Sequence, residues 1–441
     1  MKKFISTVKN IFAIQDLRTR ILNTLGFLII FRLGSFVVLP GVNPDALTKA
    51  SGGILGLLNT FLGGAFNNAS IFGLGIMPYI SASIVLQLLT IAVPYFQKMQ
   101  KEGESGRNKI NQITRVLTIA ITLAQGVGYV SGTIPKDAVM IDYTFFTISS
   151  VIILTAGTMF CMWIGEKITD KGIGNGISML IMVGIISRFP GSFIGEALTR
   201  GMGGALGFIL EIVALFFVVM GVVMLTQATR RIPIQYAKQI AGGAKAYGGQ
   251  RKYLPLKVNA AGVMPIIFAQ ALMFLPALLA GIWSDTSDLA ASIGSTFSDF
   301  TSWQYNLVFA ILIIVFTFFY TAITISPRQI SEDLKRNGGF IPGVKPGQQT
   351  EEYLDDVLTR ITLPGSFFLA FVAIIPAFAR LAGVGTDFAQ FFGGTSLLIM
   401  VGVVLDTLQQ VESYLLMGHY EGMMKSGNVK GGNSQDNIAV A

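Results

Sequence analysis

The sequence predicts an all-α polytopic membrane protein with about ten transmembrane helices. Charged residues make up only 13% of its 441 residues, against roughly a quarter in an ordinary soluble domain, and hydrophobic residues reach 52%. Apolar runs of about 20 residues, which is the length that crosses a bilayer, recur along the chain. Because so few charges cannot cover a water-facing surface, we interpret lipid as the main solvent of the fold.

The apolar runs divide evenly between two halves of the chain. The N-terminal half, residues 1–200, contains predicted spans at 22–39, 71–93, 112–130, 144–164 and 174–186. The C-terminal half, residues 201–441, contains predicted spans at 205–225, 258–282, 307–325, 361–378 and 396–415. The segment 54–69 is also apolar, but it is short and interrupted by glycines. It therefore indicates a re-entrant or buried half-helix rather than a further span.

Basic residues indicate the orientation, because cytoplasmic loops of membrane proteins are enriched in Lys and Arg. With the N-terminus placed inside, 26 of the 32 basic residues fall in the predicted inner segments. Two inner loops, 227–257 and 326–360, are long enough to project from the membrane, and we expect a flexible tail after Gly427. Because each half has an odd number of spans, the halves enter from opposite faces and are expected to be inverted repeats.

Two amides and a row of isoleucines mark the second span. Ile76, Ile80, Ser83 and Gln87 share one helical face at 100° per residue, and the face is polar only toward the cytosolic side. Asn259 lies at a corresponding depth near the start of the seventh span, counted at 1.5 Å per residue. The pair Gln87 and Asn259 predicts either a separable seam between two helices or a static hydrogen bond worth roughly 1 kcal/mol.

The sequence offers little equipment for catalysis or metal binding. Cys161 is the only cysteine and His419 the only histidine, so we expect no metal site, no cofactor and no enzyme activity. Arg32, in the middle of the first span, belongs either to a structural ion pair or to a water-lined vestibule. A secondary transporter for a small solute stays open as an alternative, since transporters share broken helices and inverted repeats.

Seven segments, in the same order along the chain, resemble the SecY family of protein-export channels. They are Gly75–Leu89, Lys101–Arg107, Trp163–Ser178, Arg230–Pro233, Leu254–Asn259, Gly338–Gly347 and Gly393–Ile399. The resemblance implies an hourglass of two inverted five-helix halves with a constriction, a plug and a lateral gate. It also implies the function: a channel that passes unfolded secretory polypeptides across the cytoplasmic (inner) membrane and releases apolar segments sideways into it.

The resemblance further implies the residues of each site. The pore constriction is expected to consist of Ile76, Ile80, Ile181, Ile267 and Ile399. The lateral gate is expected at Gln87 and Asn259, the plug at about 54–69, and partner docking at Arg230, Arg231 and Arg360. The implied partners are the small membrane subunits SecE and SecG, the SecA motor ATPase, the ribosome, the translocated chains and membrane phospholipid. Both termini are expected in the cytosol, and no cofactor is implied.

Overall fold

The computed structural model is almost entirely helical over the part of the chain that it describes. It describes residues 14–43, 47, 62–201, 204–236, 251–270, 272–273, 299 and 301–425. Within these ranges, residues 91, 101, 132, 136, 251 and 418–425 are described by their backbone alone.

The described residues of the N-terminal half contain six α-helices: α1 (Gln15–Gly34), α2 (Met77–Ala92), α3 (Pro94–Lys101), α4 (Glu104–Thr133), α5 (Tyr143–Lys171) and α6 (Gly176–Arg200). Each of the five predicted spans overlaps one of them. Pro94 lacks a backbone N–H and cannot continue α2, and α3 leaves at 101° to it. Asn175 caps α6 by accepting from the Ser178 N–H at 3.2 Å. Helix α6 runs 14 residues beyond the predicted span end, through Pro190.

The C-terminal half contains α7 (Ala205–Gln227), α8 (helical residues 264–270), α9 (Trp303–Thr324), α10 (Pro327–Arg336), α11 (Gln348–Leu381), α12 (Thr386–Ala389) and α13 (Gly394–Lys425). Among the described residues, seven helices are long and apolar enough to cross a membrane, or eight if the bent pair α2–α3 is one span. Helices α1 and α8 coincide with the two other predicted spans. Residues 274–282 of the seventh span lie outside the described residues.

A small sheet joins the two long loops, which the sequence pattern did not predict. Strands β1 (Thr229–Tyr236), β2 (Arg251–Lys257) and β3 (Gly339–Phe340) pair antiparallel in the order β2-β1-β3. Ile232 of β1 and Leu256 of β2 are buried against Leu354 and Leu358 of α11. Apolar burial therefore fixes both loops to the start of α11.

The two ends of the bundle differ in character. One end carries β1–β3 and α10, and we call it the basic end because Arg230, Arg231 and Arg328 are exposed there. The opposite end carries the segment 62–76, and we call it the plug end. There the Leu39 N–H donates to the Ala69 carbonyl at 2.8 Å.

Candidate pore constriction and lateral gate

One narrow cavity lies where α1, α2, α6, α8 and α13 meet. Its volume is about 40 Å³, which is room for about three water molecules and far too little for a polypeptide. All five isoleucines singled out in the sequence line it: Ile76, Ile80, Ile181, Ile267 and Ile399. The structure thus brings them together in a closed conformation, while their role as the constriction stays a prediction.

Local structure explains how four separate helices supply this collar of isoleucines. Ile76 is the N-terminal cap residue of α2 and Ile80 follows one turn later, so both face the same side. Ile181 lies in the second turn of α6, and Ile399 lies in the second turn of α13. Ile76 and Ile399 are buried, and the other three are partly buried. The collar is therefore formed by residues within the first two turns of these helices.

The described part of the predicted plug closes one side of this cavity. Leu62 lines the cavity, and residues 62–69 form turns rather than a helix; residues 54–61 lie outside the described residues. The Tyr129 hydroxyl of α4 donates to the Phe66 carbonyl at 2.6 Å. A Cβ atom at Gly63 would lie 2.8 Å from both Arg32 Nη1 and Ser187 Oγ. The segment is thus packed so closely that only glycine fits at this position.

Arg32 holds the same segment. Its Nη1 donates to the Gly63 carbonyl at 2.8 Å, and its guanidinium lies 4.7 Å from the centre of the Phe36 ring. Among the described residues Arg32 forms no ion pair, so the interpretation as a structural ion pair does not apply to this part of the chain. The charge instead anchors a backbone carbonyl beside the cavity.

Of the two alternatives left open for Gln87 and Asn259, the direct hydrogen bond does not form. Gln87 Nε2 donates to Ser83 Oγ at 3.2 Å, and the Tyr320 hydroxyl of α9 donates to Gln87 Oε1 at 3.4 Å. Asn259 is buried and its Oδ1 has no partner among the described residues. The correction has a physical reason: residues 258–263 are turns and α8 begins only at residue 264. Depth counted at 1.5 Å per residue therefore does not apply to Asn259, and the gate role of Gln87 and Asn259 stays a prediction.

The three arginines expected to dock partners are at the basic end. Arg230 and Arg231 are exposed on β1. The Arg360 side chain, on α11, is 77% exposed, and its Nε donates to Asp356 Oδ1 at 3.0 Å. Because β1 packs on α11, all three belong to one surface unit. Whether that unit binds a partner stays a prediction.

Sequence reasoning missed two polar residues that line the same cavity as the isoleucine collar. Gln270 and Thr395 also line the cavity, and the Thr395 hydroxyl donates to Gln270 Oε1 at 2.6 Å. Helical spacing could have found both, since Gln270 follows Ile267 by three residues and Thr395 precedes Ile399 by four. Tyr320 was missed too, because nothing in its apolar surroundings marks it in the sequence.

Comparisons with known proteins agree with this geometry. A family model described as SecY matches residues 70–408. The chain is 44% identical to the protein translocase subunit SecY of Streptomyces scabiei over 432 residues, covering 94% of this chain and 98% of that protein. It is also 44% identical to the protein translocase subunit SecY of Halalkalibacterium halodurans over 436 residues, covering 95% and 99%.

Solved structures show the same fold. One described as a protein conducting channel superposes with a TM-score of 0.65 at 18% identity, covering 90% of this chain and 92% of that one. Sec61 in a canine ribosome–channel complex from the endoplasmic reticulum gives a TM-score of 0.61 with the same identity and coverage. This bundle of membrane-spanning helices thus has the fold of the protein-conducting channels. The chain belongs to the SecY family. It is a multi-pass membrane channel for polypeptides and not an enzyme, and none of the relatives named here is a solute transporter.

Proposed function

We propose that the isoleucine collar is the gated constriction through which unfolded secretory polypeptides cross the cytoplasmic membrane. The observation that carries this proposal is the meeting of Ile76, Ile80, Ile181, Ile267 and Ile399 around one cavity. Branched apolar side chains in a narrow passage keep it free of water and ions. They make no fixed polar contact with an arriving chain, so the collar yields to many different sequences.

The segment 62–69 completes the resting seal from the plug end. Leu62 reaches the cavity, and the contacts from Arg32 and Tyr129 go to backbone carbonyls rather than to side chains. These polar contacts are few, and each is worth roughly 1 kcal/mol net or somewhat more where it is charge-assisted. The larger part of the seal is apolar, since Leu62, Phe66 and Ala69 are buried in one cluster. Apolar packing is not directional, so a translocating chain that offers apolar surface can displace the segment without unfolding the helices around it.

The lateral gate lies between α2 on one side and α8 with α9 on the other. Its polar contact is the long hydrogen bond from Tyr320 to Gln87, and the Tyr320 ring packs edge-on against Phe268 of α8, with centroids 5.7 Å apart. A contact this weak opens when an apolar segment gains more by entering lipid, at roughly 25 cal/mol per Å² buried. The gate thereby sorts segments by hydrophobicity.

Partners supply the driving force from the basic end, which we place in the cytosol together with both termini because of the excess of basic residues there. Arg230, Arg231 and Arg360 offer guanidinium groups that bind carboxylate or phosphate in bidentate fashion. The motor ATPase SecA would offer carboxylates to these groups, and ribosomal RNA would offer phosphates. Solved relatives include ribosome-bound complexes from dog and yeast. SecE and SecG, the small subunits, are proposed to cover lipid-exposed helix faces of the two inverted halves, 1–200 and 201–441.

The proposal is tested by comparing two isoleucine substitutions in channels reconstituted into lipid vesicles. Ile399→Gly removes a collar side chain, whereas Ile152→Gly makes the same change on a face of α5 where the side chain is 61% exposed. We expect Ile399→Gly to raise ion leak through the resting channel while Ile152→Gly does not. The wild type, supplied with its partners, should transport a secretory precursor. Equal leak in the two variants would remove Ile399 from the constriction.

A further inference from the structure

A second cavity lies directly beside the isoleucine collar; its lining is mostly apolar but has a larger polar share than the lining of the first cavity, and we call it the polar pocket. It has a volume of about 30 Å³ and is enclosed by α8, α9, α11 and the segment 390–396. Asn306, Gln390 and Ser396 contribute polar groups to its wall, and Gln390 and Ser396 are each only 2% exposed. The space is enough for about two water molecules, and such water is stable where several polar groups surround it. A site that can hold water therefore adjoins one that, under the proposed function, must exclude it.

Gln270 and Thr395 are the two residues that line both cavities. Their hydrogen bond, at 2.6 Å, runs from α13 to α8 along the boundary between the two spaces. Thr395 is 7% exposed. The bond thus forms part of the wall that separates the polar pocket from the apolar collar.

The same bond connects the two helices that carry Ile267 and Ile399. Ile267 precedes Gln270 by one turn on α8, and Ile399 follows Thr395 by one turn on α13. Ile267 and Ile399 pack in one apolar cluster with Val263 and Val403. A fixed distance between Gln270 and Thr395 therefore keeps these two collar residues in contact.

We propose that the Gln270–Thr395 hydrogen bond is a partition, which positions Ile267 against Ile399 and keeps the water of the polar pocket out of the collar. The inference rests on the proposed function of the collar as the constriction. Breaking the bond joins the two cavities along the α8–α13 contact. Water then reaches the collar from the side, and ions follow it through the resting channel.

The test compares Thr395→Val with Thr395→Ser. Valine has the shape of threonine without the hydroxyl donor, whereas serine keeps the donor. We expect Thr395→Val to raise resting ion leak in planar bilayers roughly three- to tenfold, as expected for the loss of one buried hydrogen bond, and Thr395→Ser to leave it unchanged. Unchanged leak in Thr395→Val overturns the proposal.

A second readout separates hydration from general loosening of the fold. Ser396 lines only the polar cavity, and the single native thiol, Cys161, is 0% exposed. Silver ion, which is small and reacts with thiols, should modify Ser396→Cys slowly, and faster when Thr395→Val is combined with it. Equal silver rates with and without Thr395→Val would mean that the bond does not separate the cavities.

Ile399→Gly in the same bilayers distinguishes the two proposals. If Ile399→Gly leaks and Thr395→Val does not, the partition is wrong and the constriction stands. If Ile399→Gly does not leak, the constriction itself is wrong. Thermal unfolding of each variant, compared with the wild type, identifies a leak that comes only from a misfolded channel, which counts against the partition.

Discussion

A buried charge cluster links α6, α7 and residues 383–385 at the plug end of the helical bundle, and its removal should destabilise the whole chain. At the end of α6, Arg200 Nε donates to Glu196 Oε1 at 3.1 Å, and Arg200 Nη2 binds both Glu211 of α7 and the Gly383 carbonyl, the latter at 2.7 Å. Glu196 Oε2 accepts from the Gly385 N–H at 3.0 Å. One arginine thereby connects the N-terminal half to two elements of the C-terminal half.

The expected cost follows from the burial of the partners. The Glu196 side chain is 5% exposed and that of Glu211 is 9% exposed, so water cannot replace Arg200 around them. Arg200→Met would leave two buried carboxylates without a cation, at a cost of about 3–5 kcal/mol in the free energy of unfolding. Glu211→Gln should cost about 1 kcal/mol or less, because Glu211 Oε2 has no partner among the described residues and the amide oxygen still accepts from Arg200.

Thermal unfolding in detergent measures this difference, with reaction of the lone thiol of Cys161 as the signal, since that side chain is 0% exposed until the helices separate. We expect Arg200→Met to lower the melting temperature by roughly 5–10 °C and Glu211→Gln to lower it far less. Arg328→Met is the control, because the Arg328–Glu332 pair is exposed on α10, with side-chain exposures of 74% and 56%, and screened by water. If Arg200→Met has the same melting temperature as the wild type, the cluster does not connect the halves.

Three further substitutions test the gate, the plug and the docking surface. Tyr320→Phe, which removes the hydrogen bond to the amide of α2, should lower the hydrophobicity at which a test segment partitions into lipid, whereas Asn259→Leu should not; equal thresholds in both would exclude Tyr320 from the gate. Gly63→Ala should raise resting leak because its Cβ would lie 2.8 Å from a guanidinium nitrogen, while Gly64→Ala, whose Cβ would have its nearest neighbour at 3.9 Å, should leak less; both positions have a positive φ, so backbone strain is common to the two, and equal leak contradicts the role of close packing. Arg360→Glu should abolish partner-driven transport and Arg360→Lys should impair it partly, as measured by precursor uptake per folded channel. Transport by Arg360→Glu at the wild-type rate would exclude Arg360 from docking and leave it as one of the many basic residues that set the orientation in the membrane.

The helices could be predicted because their signal is local. A run of apolar residues of sufficient length has one stable state in hydrocarbon, where backbone groups must bond within the segment. The sheet could not be predicted in this way. Pro233 argues against a central strand, since it cannot donate to a ladder. In the structure β3 pairs only with Gln235 and Tyr236, so Pro233 lies where β1 has a neighbour on one side alone.

The sequence predicted the residues around the collar cavity better than the contacts of the gate. Three of the collar isoleucines lie in segments that resemble a known family, and Ile181 and Ile267 follow within eight residues of two other such segments. The structure places all five at one cavity. The partner of Gln87 depended on where α8 begins, and a shift of a few residues at a helix start replaced Asn259 by Tyr320. Pair contacts across helices depend on helix ends and rotation, which are the least determined features of an apolar sequence.

The packing of the collar residues indicates where the channel opens. Ile76 and Ile80 of α2 pack in one cluster with residues of α1 and α5, whereas Ile267 of α8 and Ile399 of α13 pack in another. Helix α6 contributes residues to both clusters, so the two stay joined there. Among the described residues no cluster contains both α2 and α8, so separation between these two helices disrupts less of a packed core than separation at α6. The Tyr320–Gln87 contact lies on the same side, between α9 and α2. Under the proposed function, a chain held in the collar would meet lipid between these helices, and one opening movement would serve both passage across the membrane and release into it.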